Sequence, residues 1–194
     1  MFNLFILMLE RGGLIIILAY ILMNIPYFKS LLGNRRKVST MVQLIIVFGI
    51  FAIISNFTGI EIRGNQIMID QPFSDLSPHS SLANTRVLTI GVAGMIGGPI
   101  IGVSVGIISG IIRYLQGGMD AYIYVISSIL VGLFSGLYGL KSIRKNTYPK
   151  VGEGLAIGAA MEAIQMISII FLSTRFQESI DLVQFIMVPM VLTN

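Results

Sequence analysis

The stretch S81-LANTRVLTIGVAGMIGGPIIGVSVGIISGIIR-Y114 decides how this chain is read. Arg86 and Arg113 bracket 26 residues that carry no charge, from Val87 to Ile112. Within them Gly94, Gly98, Gly102, Gly106 and Gly110 recur every fourth residue, and the triplet Gly97-Gly98-Pro99 interrupts the middle. Pro99 removes a backbone donor and crowds the preceding turn. The paired glycines permit dihedrals closed to other residues. The run is therefore either two short helices folded back on each other or one kinked helix with a smooth glycine ridge.

Working outward, the rest of the chain is of the same kind. Of 194 residues, 55% are hydrophobic and 11% charged, whereas a soluble domain carries about 25% charge. Further apolar runs cover roughly Gly12–Phe28, Met41–Thr58, Tyr122–Leu140, Leu155–Ser173 and Ile180–Thr193. A spanning helix needs about 20 apolar residues. The pattern predicts an all-α polytopic membrane bundle of about five to six spans. The N-terminus lacks the early basic region and the small-residue cleavage site of a signal peptide and is read as retained. The final run holds only 14 residues, so the chain is expected to be cut within its last helix. Glu10-Arg11 reads as a surface pair ahead of the first span.

Charge sets the orientation. Eight of the 13 basic residues fall in two short loops: Lys29, Arg35, Arg36 and Lys37 in one, Lys141, Arg144, Lys145 and Lys150 in the other. Neither loop holds an acid, so both are placed in the cytoplasm. The connection from Thr58 to Ser80 mixes Glu61, Arg63, Asp70, Asp75 and His79 with Pro72 and Pro78, and reads as an outer loop. Tyr122–Leu140 is then one crossing from outside to inside. Val87–Ile112 must begin and end outside, which favours the folded-back hairpin hinged at Gly97, Gly98 and Pro99. With most of its basic residues in two membrane-flanking loops, the net charge of +4 gives no reason to expect a nucleic-acid partner.

In that topology Arg86 and Arg113 reach the same outer level. Guanidinium forks match a carboxylate, so the pair suits a small anion above a glycine-lined cleft, with Asn84, Thr85, Ser127 and Ser128 able to add hydrogen bonds. At membrane edges the same arginines could instead snorkel to the interface. Glu162 and Gln165 are three apart and share a helix face; they read as interhelical partners, an ion pair with an arginine, or coupling residues. Asp120, after Gly117-Gly118, is expected to cap the next helix. No cysteine is present and His79 is the sole histidine, so no metal site and no cofactor are expected in the chain. Walker, GxSxG, HExxH and kinase signatures are absent.

The segment that opened this reading resembles the membrane sensor region of LytS-type histidine kinases, the five-transmembrane LYT receptor domain. Asn84 and Arg86 match its N-x-R motif, Gly97-Gly98-Pro99 its GGP turn, and Arg113 its second arginine. ERGGLIIILAYILMNIPYFK and MEAIQM extend the likeness over essentially the whole chain. The resemblance implies a bacterial plasma-membrane input domain covering residues 1–194. In full-length members it precedes a GAF-like domain and an ATP-using kinase, which this chain would lack. It also implies a homodimer, a LytTR-type response regulator, and control of autolysis and cell-wall turnover. Members of the family respond to extracellular pyruvate, and membrane potential is a further proposed signal. In pyruvate-sensing members the residues matching Arg86, Arg113 and Ser127 are implicated in binding; a cysteine of that site is replaced here by Tyr124. Read from residues alone, a small-anion transporter or channel-like protein is the alternative, because broken helices are common in transporters.

Overall fold

The computed structural model describes residues 2–64, 66–68, 76–145, 147 and 149–193. Asp70, Pro72 and Asp75 of the outer connection lie outside the described residues. Eight helices are described: α1 (Phe2–Asn24), α2 (Pro26–Gly33), α3 (Val38–Phe57), α4 (Arg86–Gly97), α5 (Pro99–Leu115), α6 (Ala121–Arg144), α7 (Val151–Leu172) and α8 (Phe176–Thr193). Of these, α1, α3, α6 and α7 are long and apolar enough to cross a membrane. The chain is a multi-pass helical membrane protein.

The first helix begins ten residues before the predicted run. Glu10 and Arg11 stand inside α1, not ahead of it, with Glu10 exposed. A helix satisfies its own backbone within the bilayer, so the apolar flank Phe2–Leu9 extends the element past two charges. The same run ends early. Pro26 forces the residue before it out of helical geometry. Ile25 is extended at φ −79°, ψ 118°, and the short helix α2 starts at the proline.

The central run is a hairpin. α4 ends at Gly97, and Gly98 takes φ 85°, ψ −177°, a conformation that favours glycine, before Pro99 opens α5. The arms hold 12 and 17 residues, ~18 and ~26 Å at 1.5 Å per residue. A Cβ on Gly102 would stand 2.9 Å from the Cα of Gly94, so the arms touch near the turn. This excludes the kinked continuous helix. The turn also reaches deeper than a shallow dip. Arg35 Nη1 donates to the carbonyl of Ile96 at 3.3 Å, and Gly98 lies beside Leu140 and Ile143. Arg35 Nη2 binds Thr147 O at 2.9 Å and Arg36 Nη2 binds Ile143 O at 2.6 Å. The two basic connections therefore meet on one side of the bundle, at the hairpin tip, in agreement with their assignment to one compartment.

At the other end a three-stranded antiparallel sheet, ordered β2-β1-β3, interrupts the helices: β1 (Ile60–Arg63), β2 (Gln66–Met68) and β3 (Ser80–Ala83). The sequence reading treated this connection as a loop. The signal for it was IEIR-Gly-Asn-QIM, a short alternating strand followed by a two-residue turn pair. All four residues of β3 are buried, so the sheet closes the outer end of the bundle. The segment leading into β3 and the first residue of that strand clasp the α5–α6 turn: Leu76 N donates to Gln116 O at 3.0 Å and Met119 N to Ser80 O at 2.8 Å.

Asp120 does not cap α6. It sits at the N-cap with φ 43° and no side-chain cap bond. Its carboxylate instead accepts hydrogen bonds from the Ser173 hydroxyl, Thr174 N and Thr174 Oγ1, tying the α7–α8 turn to the base of α6.

Since the chain has no cysteine, single cysteines report sidedness cleanly. Cysteine at Lys37 or Lys145 is expected to react with an impermeant maleimide only from the cytoplasmic side, and at Gly64 or His79 only from outside. Labelling of positions 37 and 145 from opposite sides would break the topology.

Candidate functional site

Arg86 opens α4 and Arg113 closes α5, so the hairpin returns the two ends of one sequence run to the same place. Their guanidinium carbons lie over one aromatic ring, that of Tyr124 on α6, at 4.7 and 4.4 Å from its centroid. The two charges are thus no farther apart than those distances combined. Neither arginine snorkels: Arg86 is 1% exposed and Arg113 fully buried. Burying an ion costs several kcal/mol even after relaxation, so the surroundings must offset much of that.

The offsets come from three elements. On α7, Gln165 Oε1 accepts from Arg86 Nη2 at 2.7 Å, and the fully buried Glu162 is close enough to oppose its charge. On the α5–α6 turn, the carbonyl of Gly117 accepts from Arg113 Nη1. That turn needs its glycines, since Gly118 takes φ 91° and a Cβ there would stand 2.7 Å from Ser80 O. The Tyr124 face attracts both cations. The balance is incomplete. Arg86 Nε and Nη1, and Arg113 Nε and Nη2, are buried without an acceptor among the described residues. By formal charges, two arginines and the Glu162 carboxylate leave +1, the charge that one monoanion would neutralise.

The predicted residues are distributed unevenly. Arg86, Arg113, Glu162 and Gln165 come together. Asn84 is buried beside them, but it turns its amide to Asn56 Oδ1 at 3.0 Å and offers its own oxygen to Arg86 N at 3.4 Å. Ser127 is buried one turn from Tyr124 and donates to its carbonyl at 3.4 Å. Ser128 is buried beside it with no partner for its hydroxyl among the described residues. The glycines do not line a cleft. Gly102, Gly106 and Gly110 press on the α6 backbone at Gly132, Ser128 and Val125. Gly97, Gly98 and Pro99 form the turn at the far end of the hairpin.

Sequence reasoning missed the polar layer around these charges. Asn56 Nδ2 donates to Ser109 O and Oγ, both at 3.0 Å, Gln116 Nε2 donates to Asn56 O at 3.3 Å, and Ser55 pairs with Thr89 at 3.0 Å. These bonds join α3 to both hairpin arms. The one legible signal was Asn56 itself, an amide at the end of an apolar run. Above the layer, a cavity of about 200 Å³ between the sheet and α8 is lined by Ile62, His79, Ser81, Met119, Glu178 and Asp181, among others. Ser81 accepts from the Tyr124 hydroxyl at 3.4 Å. The cavity wall is thus one hydrogen bond away from the ring that touches both arginines.

A folded-back hairpin that buries two closely placed arginines inside a helical bundle defines a multi-pass membrane protein with a charged interior. The chain belongs to the 5TM-5TMR_LYT family, whose model, described as 5TMR of 5TMR-LYT, matches residues 25–194. It is 52% identical over all 194 residues to the Sensor protein LytS of Staphylococcus saprophyticus and 51% to that of Enterococcus faecalis. It is 49% identical to the Sensor histidine kinase/phosphatase LytS of Staphylococcus aureus. Each match covers the whole chain and 33% of the relative, so the chain spans about a third of the length of the relatives it matches. No solved structure matches.

Proposed function

We propose that the chain is the membrane input module of a LytS-like sensor histidine kinase and that it detects a small extracellular carboxylate, with pyruvate the first candidate. The observation that carries this reading is the pair of buried guanidiniums whose free N–H groups and net single positive charge call for one monoanion. Pyruvate is small, singly charged and planar at its carboxylate, so it can take a two-pronged hydrogen bond from the Nε–Nη2 edge of Arg113 and a further one from Arg86, whose Nη2 is engaged by Gln165. Its keto oxygen could accept from Ser127, Ser128 or the Tyr124 hydroxyl. The resemblance to the LytS family supports the remainder of the proposal. A kinase region beyond this chain uses ATP and phosphorylates a LytTR-type response regulator, the protein works as a homodimer, and the output is control of autolysis and cell-wall turnover.

A bound anion can shift the protein between states only through a difference in affinity for them. The hairpin supplies a path for such a difference. Its outer ends hold the anion site and its turn touches the cytoplasmic connections through Arg35. Drawing the two arginines together would move the arms against α6.

Calorimetry on the purified chain tests the reading. Pyruvate is expected to bind saturably with one site per chain, and pyruvamide, its neutral counterpart of the same size, is expected not to. Liposomes containing the protein are expected to show no pyruvate flux beyond that of empty ones. Absence of binding by any small monocarboxylate would overturn the proposal, and flux would favour the transporter reading in its place.

A further inference from the structure

A second cavity, of about 500 Å³, lies at the opposite end of the molecule. It is lined by five basic residues, Arg35, Arg36, Lys37, Arg144 and Lys145, together with Gly33 and Asn34, and by no acid among the described residues. Its walls are held in place from within. Arg35 and Arg36 use part of their guanidinium groups on the carbonyls of Thr147, Ile96 and Ile143, which fixes the α2–α3 turn against the end of α6. Lys37 occupies the N-cap of α3, where a serine or aspartate is usual, and no side-chain cap bond is made there. The positive end of a 20-residue helix therefore opens beside the same five cations. Topology alone accounts for basic residues on this side of the membrane. It does not account for their lining one open cavity together with a helix N-terminus that lacks a side-chain cap.

We infer that this cavity binds a phosphate group at the inner membrane surface, either the headgroup phosphate of an anionic phospholipid or inorganic phosphate from the cytosol. Basic pockets at the cytoplasmic ends of membrane helices suit such headgroups. Arg35 gives the site a mechanical consequence, because the same side chain binds Ile96 at the hairpin tip. Occupancy of the cavity would hold the tip of the hairpin whose other ends carry Arg86 and Arg113.

The test compares two triple variants of the 194-residue chain. Lys37, Arg144 and Lys145 line the cavity and are exposed, and replacing them with glutamine leaves the Arg35 and Arg36 clasps in place. Lys29, Lys141 and Lys150 lie exposed in the same two connections outside the cavity lining, and serve as the matched control. Each protein is extracted from vesicles of equal phosphatidylglycerol and phosphatidylcholine, and retained lipid is counted by native mass spectrometry. Phosphate binding is measured separately by calorimetry in pure phosphatidylcholine nanodiscs. The parent is expected to retain phosphatidylglycerol preferentially, or to bind inorganic phosphate, and the result shows which source supplies the group. The cavity variant is expected to lose that binding about tenfold and the control to keep it. Equal loss in both variants overturns the inference. So does a parent that shows neither lipid preference nor phosphate binding, a result that needs no variant to fold.

Discussion

Arg113→Gln is expected to weaken pyruvate binding about 100-fold while leaving the ligand-free protein no less stable. Removing one partner from a buried charge pair costs roughly 2–5 kcal/mol of binding, and about 2.7 kcal/mol corresponds to that factor. The stability half of the expectation follows from the imbalance at the site. Arg113 is fully buried close to a like charge; among the described residues its Nε and Nη2 have no acceptor and its backbone partner is Gly117 O. Glutamine keeps a donor for that carbonyl and removes the repulsion. Arg86→Gln is expected to lose binding as severely but to destabilise the fold, since Arg86 is what Gln165 and Glu162 face. Adding Glu162→Gln should restore the fold without restoring binding, a coupling that the double-mutant cycle reads directly. Alone, Glu162→Gln raises the net charge of the site from +1 to +2 and is expected to tighten pyruvate binding about tenfold. Thermal unfolding with and without pyruvate, alongside calorimetry, separates these cases. A structural pair of arginines predicts the opposite, with melting temperatures falling in every variant and no change in ligand response.

These expectations rest on features of unequal legibility. The hairpin was readable because it follows from bookkeeping that one sequence can supply. Two acid-free basic connections fix the sides, and Gly97-Gly98-Pro99 marks the only place the run can turn. The meeting of Arg86 and Arg113 follows from the same argument. Their depth does not, because distance from a run's edge in sequence says little when a sheet covers that edge. β3 buries Ser80 to Ala83 above the arginines, and so turns an expected rim into an interior. Tyr124 is placed at the site by the family resemblance alone. From the residues themselves an aromatic in an apolar run reads as packing, and only the fold shows two cations converging on its face. The polar layer joins Asn56 to Ser109 and Ser55 to Thr89, each pair dozens of positions apart, which no local period can reveal. Glu10 and Arg11 show the converse error. Charge marks the boundary of an apolar run but not of α1, because a helix in lipid stops where its backbone can be satisfied some other way, and the helix runs on through Gly12.

The second large effect concerns the glycine ridge, and it distinguishes packing from ligand contact. Gly102 faces the α6 backbone so closely that a Cβ would lie 3.0 Å from the carbonyl carbon of Gly132, nearer still to its oxygen, and 2.9 Å from Gly94 Cα on the other arm. Gly132, Gly136 and Gly139 return the contact from α6. A Cβ on each would stand 2.9 Å from Val103 N, 2.8 Å from Gly98 C and 2.9 Å from Met95 C respectively. Every obstructing atom here is backbone, which cannot rotate away. In lipid such close approach is itself the main source of helix association. Gly102→Ala is therefore expected to destabilise the chain by about 3 kcal/mol, the upper range for overpacking, and Gly102→Val to prevent stable assembly of the hairpin. Gly13→Ala and Gly152→Ala, where an added Cβ meets nothing within 4 Å, are expected to be neutral or mildly stabilising, as alanine is the better helix former. Unfolding in mixed micelles of rising sodium dodecyl sulfate fraction measures all four. The hairpin holds Arg86 and Arg113 over Tyr124 only while both arms lie against α6. Gly102→Ala must then weaken pyruvate binding too, although residue 102 lies about 11 positions, or ~16 Å, along α5 from Arg113. Full stability with alanine at both 102 and 132 would mean that the arms do not pack as described, and the convergence of the two charges would fall with them.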